Sequence, residues 1–225
     1  MDILYSDNRI IVCLKPTGVV STDEPGGLPS LLRAELGDAH ACVRTVHRLD
    51  QVVGGVMVLA RSREAARRLS AQLESHQFRK EYLAVLEGMP AEKEGCLRDL
   101  LCRDKAQKKT FITDTPGKDS REAVLHYRLL DSRGGLSLVR IRLETGRPHQ
   151  IRAQFSGRGL PLAGDRKYGA QLDLGNSIAL WSRLLSFRHP QTDEVVTFAA
   201  LPQRTFPWDT FPCLWNDSAD WSELP

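Results

Sequence analysis

The chain has 225 residues, of which 41% are hydrophobic and 26% charged, with a formal net charge of +3 at pH 7. This length supports a well-buried core, while so small a charge does not by itself argue for a polyanion partner. The opening Met1-Asp2-Ile3-Leu4-Tyr5 lacks the basic and apolar regions of a secretion leader, and no apolar run reaches bilayer length, so a soluble, cytoplasmic protein is expected.

In chain order, residues 10–14 form a compact β-type run closed by a turn at Lys15-Pro16-Thr17-Gly18. Residues 28–36 predict a short helix, with Pro29 in its first turn and Gly37 past its end. Residues 43–49 and 56–59 are apolar and β-branched, so Asp50 and the flexible Gly54-Gly55 pair lie at a bend between extended segments. From Ser62, a good N-cap, the period becomes helical through Ala65, Leu69 and Leu73. Residues 82–86 return to strand character, and 95–117 read either as an irregular polar and basic excursion or as a long hairpin. Residues 136–143 alternate, with Val139, Ile141 and Leu143 against Arg140 and Arg142, which predicts a strand with one wet face. Pro148 can open a helix that carries Ile151 and Phe155 and ends near Gly157. Residues 178–187 and 195–198 predict a final hairpin. No repeat or internal linker is visible, so one domain over residues 1–205 is expected, followed by an acidic, Trp-rich tail over 206–225 that either packs back or mediates an interaction.

The five cysteines are scattered and never form a C-x-x-C pair, so neither a disulfide framework nor a zinc ribbon is expected. Cys96, Cys102 and His126 are the nearest approach to a ligand set, but no second close pair completes it, and no metal is expected. Charge distribution says more than the total. From Arg140 to Tyr168, seven basic residues, among them Arg147, Arg152, Arg166 and Lys167, face only Glu144 and Asp165. A second basic stretch spans 61–80, and the end of the chain is acidic, an asymmetry that suggests a basic face for phosphates. Solvated surface charge with no partner is the ordinary alternative.

Three segments look unlike scaffold: His47-Arg48-Leu49-Asp50, then Arg79-Lys80-Glu81-Tyr82, then Gly146-Arg147-Pro148-His149-Gln150-Ile151-Arg152, the last followed by Gly164-Asp165-Arg166-Lys167-Tyr168. Taken singly, Asp50 could be a turn former, Tyr82 a half-buried strand aromatic, and Arg152 a cation on a helix surface. Taken together and in this order, they resemble the RluA-type RNA pseudouridine synthases, and the resemblance covers nearly the whole chain without an N-terminal S4-like module. It implies an α+β fold with a large, mostly antiparallel mixed sheet, flanking helices and a central active-site cleft. It also implies isomerisation of specific uridines in structured ribosomal or transfer RNA, with no cofactor.

By the same resemblance, Asp50 is the catalytic carboxylate, Arg152 pairs with it, and Tyr82 stacks on the uracil and helps take the carbon-5 proton. The target nucleotide must be flipped out, at a cost of a few kcal/mol that phosphate contacts offset. Arg48 is the candidate to fill the vacated stack, and Arg147, Arg166 and Lys167 are candidate RNA contacts. His47 and His149 belong to the same RNA-binding set, with a supporting role through hydrogen bonds that position their loops. A monomer is the expected state. Two departures stand out: Val53-Gly54-Gly55 replaces the family's usual Thr-Ser-Gly, and Gln154 stands where a histidine is often found. The rival readings are an RNA-binding or RNA-chaperone protein of the same fold, and a hydrolase using His47 and Asp50. The hydrolase lacks the metal or second carboxylate that such chemistry normally requires.

Overall fold

Each of the two compact units in the computed structural model, which describes residues 1–216, 218–222 and 224, is assembled from two stretches far apart in sequence. The first combines Met1–Lys80 with Trp181–Pro202, and the second combines Glu81–Leu180 with Gln203–Pro225. Because each unit is discontinuous, the sequence carries no linker between them.

In the first unit, β1 (Ile3–Ser6) pairs with β2 (Ile10–Lys15), which pairs with β4 (Gly54–Ala60), all antiparallel. The two-residue β3 (Arg44–Thr45) lies against the end of β4. At its start β4 meets β10 (Leu180–Arg188) in a parallel pairing, Trp181 opposite Gly54 and Ser182 opposite Gly55, and β10 forms the expected hairpin with β11 (Val195–Ala199). β4 is buried on both faces, as its continuous apolar run requires. Two helices flank these strands. α1 (Leu28–Glu35) carries Pro29 in its first turn and is followed by Gly37 at φ 65°, while α2 (Arg63–Glu74) is capped by the Ser62 hydroxyl, which accepts from the Ala65 N–H. The core joins Ile10, Val12, Val56, Val58 and Leu69 to Phe78 and Phe187, whose rings stack with centroids 5.1 Å apart.

In the second unit the strand order is β5 (Arg79–Glu87), β9 (Leu136–Leu143), β8 (Ser120–Arg133), β6 (Glu94–Asp104), β7 (Lys109–Thr113). Of the two readings for 95–117, the structure shows the hairpin, with β6 and β7 paired from Leu100–Thr113 to Asp104–Lys109. The helix expected to open at Pro148 instead begins at Gln150 and runs to Ser156 as α3, ending at Gly157 as anticipated. His149 sets this later start, because its left-handed conformation (φ 54°) cannot continue into a helix. The described residues form eleven strands and three helices with mostly antiparallel pairing, and the class is the expected α+β.

Residues 203–225 belong to the second unit and bury Trp208, Phe211 and Leu214. Near its end this segment covers an ion pair. Glu81 (0% exposed) accepts from Nε and Nη2 of Arg140 (2% exposed), both at 2.9 Å. Arg140 Nη1 donates to the Ser222 carbonyl at 2.6 Å, and the Trp221 ring lies 5.7 Å from the guanidinium. Arg128 holds the same segment through Asp220 at 2.8 Å. A buried pair of this kind contributes little net stability while intact but leaves an uncompensated charge when one partner is removed. Arg140→Met is therefore expected to destabilise the protein by about 3–5 kcal/mol, read as a lower urea midpoint; an unchanged midpoint would show that the pair is not buried in solution.

Candidate active site

Asp50 follows β3 and opens a turn in which the Val53 N–H donates to the Asp50 carbonyl at 3.0 Å. The turn is laced to residues 15–21, which follow β2. The Ser21 hydroxyl donates to the Leu49 carbonyl at 2.8 Å and accepts from the Leu49 N–H at 3.1 Å. The Gly18 N–H donates to the Gln51 carbonyl at 2.8 Å, and the Gln51 side-chain amide donates back to the Gly18 carbonyl at 2.9 Å. Lys15, fully buried at the end of β2, donates to the carbonyls of Val19 at 2.6 Å, Pro16 at 2.9 Å and Gln51 at 3.3 Å. Burial pushes the Lys15 ammonium down to about 8, a shift opposed by the attraction of Asp50 and Cys13.

His47 is buried. Its Nε2 accepts from the Val58 N–H at 3.2 Å, its ring packs near Phe78, and burial aided by the charge of Lys80 pushes its pKa down to about 3. The hydrogen bond and the aromatic packing hold the imidazole in place beside Val58 and Phe78. Its neighbour Arg48 is exposed.

In the second unit Tyr82 sits on β5 and is 7% exposed. Arg152, buried on α3, places Nε and Nη2 on the carboxylate of Asp165 at 2.6 and 2.8 Å, and its guanidinium lies 4.9 Å from the centre of the Tyr168 ring. The Tyr168 hydroxyl accepts from the Thr110 N–H at 2.8 Å and is 2.9 Å from His149 Nδ1. His149 thereby braces the arginine's aromatic support. Gln150 Oε1 accepts from the Arg147 N–H and the Thr145 hydroxyl, while Arg147 Nε donates to the Glu122 carbonyl. Arg166 is exposed and pairs with Asp173, and Lys167 donates to the Lys108 carbonyl. The third segment and the late Gly-Asp-x-x-Tyr segment are thus one construction around Arg152. Reading from sequence missed Lys15, Ser21, Asp165 and Tyr168 as site residues. The last two had a signal, the Asp-x-x-Tyr spacing, whereas Lys15 was absorbed into a turn.

Comparison with known proteins identifies the family. Residues 9–157 match the family model for RNA pseudouridylate synthase. The chain is 34% identical over 214 residues to the RNA pseudouridine synthase YlyB of Bacillus subtilis (strain 168), covering 90% of this chain and 70% of that protein. It is 31% identical over 225 residues to the ribosomal large subunit pseudouridine synthase D of Zymomonas mobilis, covering 90% and 70%. The chain belongs to the RNA pseudouridylate synthase family. It is an isomerase of the RluA type. The structure of human RNA pseudouridylate synthase domain containing 1 shares its fold, with a TM-score of 0.77 at 22% identity over 100% of this chain and 89% of that one.

Within the synthase, Gly54 and Gln154, which depart from the family pattern, and the neighbouring Gly55 have packing roles. A Cβ on Gly55, which has φ 122°, would lie 2.3 Å from the Ser182 carbonyl oxygen, and one on Gly54 would lie 2.7 Å from the Trp181 ring. The glycines admit the close parallel approach of β10, and the turn itself is braced by the Ser21 hydroxyl. Gln154 is buried and its amide donates to Asp99 and to the Leu97 and Ala123 carbonyls. Restoring the commoner residue with Gly54→Ser should lower the melting temperature, because the Trp181 ring must move; an unchanged value would mean that β10 approaches less closely in solution.

Lys15 gives a signed pH dependence. The folded synthase releases this proton near pH 8, whereas an unfolded lysine holds it to about 10.5, so between these values the unfolded state binds more protons and stability rises with pH. Relative to Lys15→Met, the wild-type chain should gain up to about 1.4 kcal/mol per pH unit between pH 8 and 10.5. Urea titrations of both proteins at several pH values check this, and a constant difference would contradict it.

Proposed function

We propose that this synthase isomerises a uridine of structured RNA, ribosomal or transfer, with Asp50 as its catalytic carboxylate. Large-subunit ribosomal RNA is the first substrate to test, since relatives at 31% and 34% identity are named ribosomal large subunit pseudouridine synthase D. The observation that carries the assignment of Asp50 is the lacing around it. A turn on the surface needs no such fixture, yet this one is held by a buried ammonium, a buried serine hydroxyl and a reciprocal pair of bonds between Gly18 and Gln51, one from a backbone N–H and one from the Gln51 amide. Fixing a carboxylate before substrate arrives is how an enzyme reduces the reorganisation its reaction requires.

The reaction breaks the bond from ribose C1′ to N1, turns the uracil and joins C1′ to C5. C5 loses its proton and N1 gains one, so the isomerisation has no net redox change. Asp50 acts on the ribose or the base during cleavage. Tyr82 stacks on the uracil and assists removal of the C5 proton. Arg152, set by Asp165 and Tyr168, serves as the orienting cation; lysine there lacks the planar fork that Asp165 engages. Arg48, Arg147, Arg166 and Lys167 contact the RNA, with His149 bracing its own segment. The expected monomeric state and cytoplasmic location belong to the same proposal; among the described residues no helix is long and apolar enough to cross a membrane.

The test is tritium release from RNA labelled at uridine C5. Asp50→Ala and Asp50→Asn should lose turnover by at least about 10³-fold, of the order seen when a group acting only in the transition state is removed, while retaining the wild-type melting curve and RNA affinity. Wild-type-like release by Asp50→Ala would remove Asp50 from the mechanism. RNA binding by the unaltered chain without any release would favour an RNA-binding protein of the same fold.

A further inference from the structure

A groove of about 490 Å³ on the first unit is lined by Thr22, Asp23, Arg44, Thr45, Arg48 and their neighbours. Its volume lies in the range of small-ligand sites. We infer that this groove is a binding site for an RNA segment flanking the target uridine, with a phosphodiester held between Arg44 and Arg48. The inference rests on the proposed function for the class of its ligand and adds a place where the strand next to the target is held.

Three observations support it. First, the charge of the groove is uncompensated. Its one carboxylate, Asp23, is taken by a bidentate pair with Arg33 at 2.7 and 2.8 Å, whereas Arg44 and Arg48 are both exposed and their guanidiniums make no hydrogen bond or ion pair with a described residue. Two unpaired guanidiniums beside a neutralised acid favour an anion, and their planar donors suit the paired oxygens of a phosphate. Second, the groove is built and not merely open. The Thr45 hydroxyl donates to the Ser21 carbonyl at 2.7 Å, which ties the Arg44-Thr45 wall to the Thr22-Asp23 wall through the residue between them, and Arg33 also donates to the Ala41 carbonyl at 3.1 Å. Third, the groove and the Asp50 turn are one piece. The same Ser21 makes both hydrogen bonds to Leu49, the residue between Arg48 and Asp50, so a strand gripped by the groove is placed with respect to the turn. The exposed Thr22 offers a hydroxyl to a phosphate oxygen or ribose 2′-OH, and the planar Arg48 offers a face to a base.

The experiment measures binding of the full chain to a fluorescein-labelled oligouridylate by anisotropy, from 50 to 300 mM salt, for the wild type, Arg44→Ala and Lys93→Ala. Lys93 is exposed, carries the same charge and does not line the groove. Arg44→Ala should weaken binding about 5- to 20-fold and reduce the slope of log affinity against log salt by about 0.7, the value for one lost contact to a single strand. Lys93→Ala should change both less. Since Arg44 is exposed, its removal leaves the fold in place, which a melting curve checks. Equal affinity and slope for Arg44→Ala and the wild type would overturn the inference, as would an equal loss with Lys93→Ala. Anisotropy reads binding whether or not tritium is released, so failure of the groove and failure of the proposed catalysis are told apart.

Discussion

An ammonium taken out of water costs several kcal/mol unless strong acceptors surround it, and around Lys15 this requirement shapes the first unit. Its three acceptors are carbonyls, two from the turn that follows its own strand and one from Gln51, just past Asp50. Leaving that cation uncompensated is so costly that the two loops must stay together. Ser21 and Gly18 complete a junction that strand pairing alone does not make, since β3 is only two residues long. The carboxylate thus stands on a short loop that is as constrained as a strand.

Arg152 is governed by a similar rule in the second unit. A buried guanidinium requires a bidentate anion, which Asp165 supplies, and Tyr168 covers its face. Tyr168 is itself fixed by Thr110 and His149, and the left-handed backbone at His149 is a local strain of the kind found where a side chain must be aimed. The spacing of the motifs then has a mechanical meaning, because residues 13 apart in sequence meet across one helix end.

What was legible in the sequence was local. The strand at 10–14, the helix capped by Ser62 and the closing hairpin each announce themselves through period and punctuation within a dozen residues, and the structure keeps them. The family resemblance located the motifs and gave the fold class. What stayed hidden depends on distant partners. A lysine before Pro-Thr-Gly reads as the edge of a turn, and only the fold buries it. The Gly54-Gly55 pair reads as looseness, whereas a tryptophan 127 positions after Gly54 fills the space that it leaves. Nothing near His47 in sequence announces that its Nε2 accepts from the backbone N–H of Val58, eleven residues on. Division into two units was equally invisible, because neither is contiguous.

That discontinuity affects how the protein emerges from the ribosome. Domains generally fold as units during synthesis, the N-terminal one first. Here the β10–β11 hairpin, whose residues Leu185 and Phe187 belong to the same core as Ile10 and Val58, is translated after the first hundred residues of the second unit. Until it arrives, β4 exposes the Gly54-Gly55 edge that β10 is to cover, and unpaired edges of this kind invite association between nascent chains. Discontinuity therefore leaves that edge of the growing polypeptide uncovered for longer than in a contiguous N-terminal folding unit.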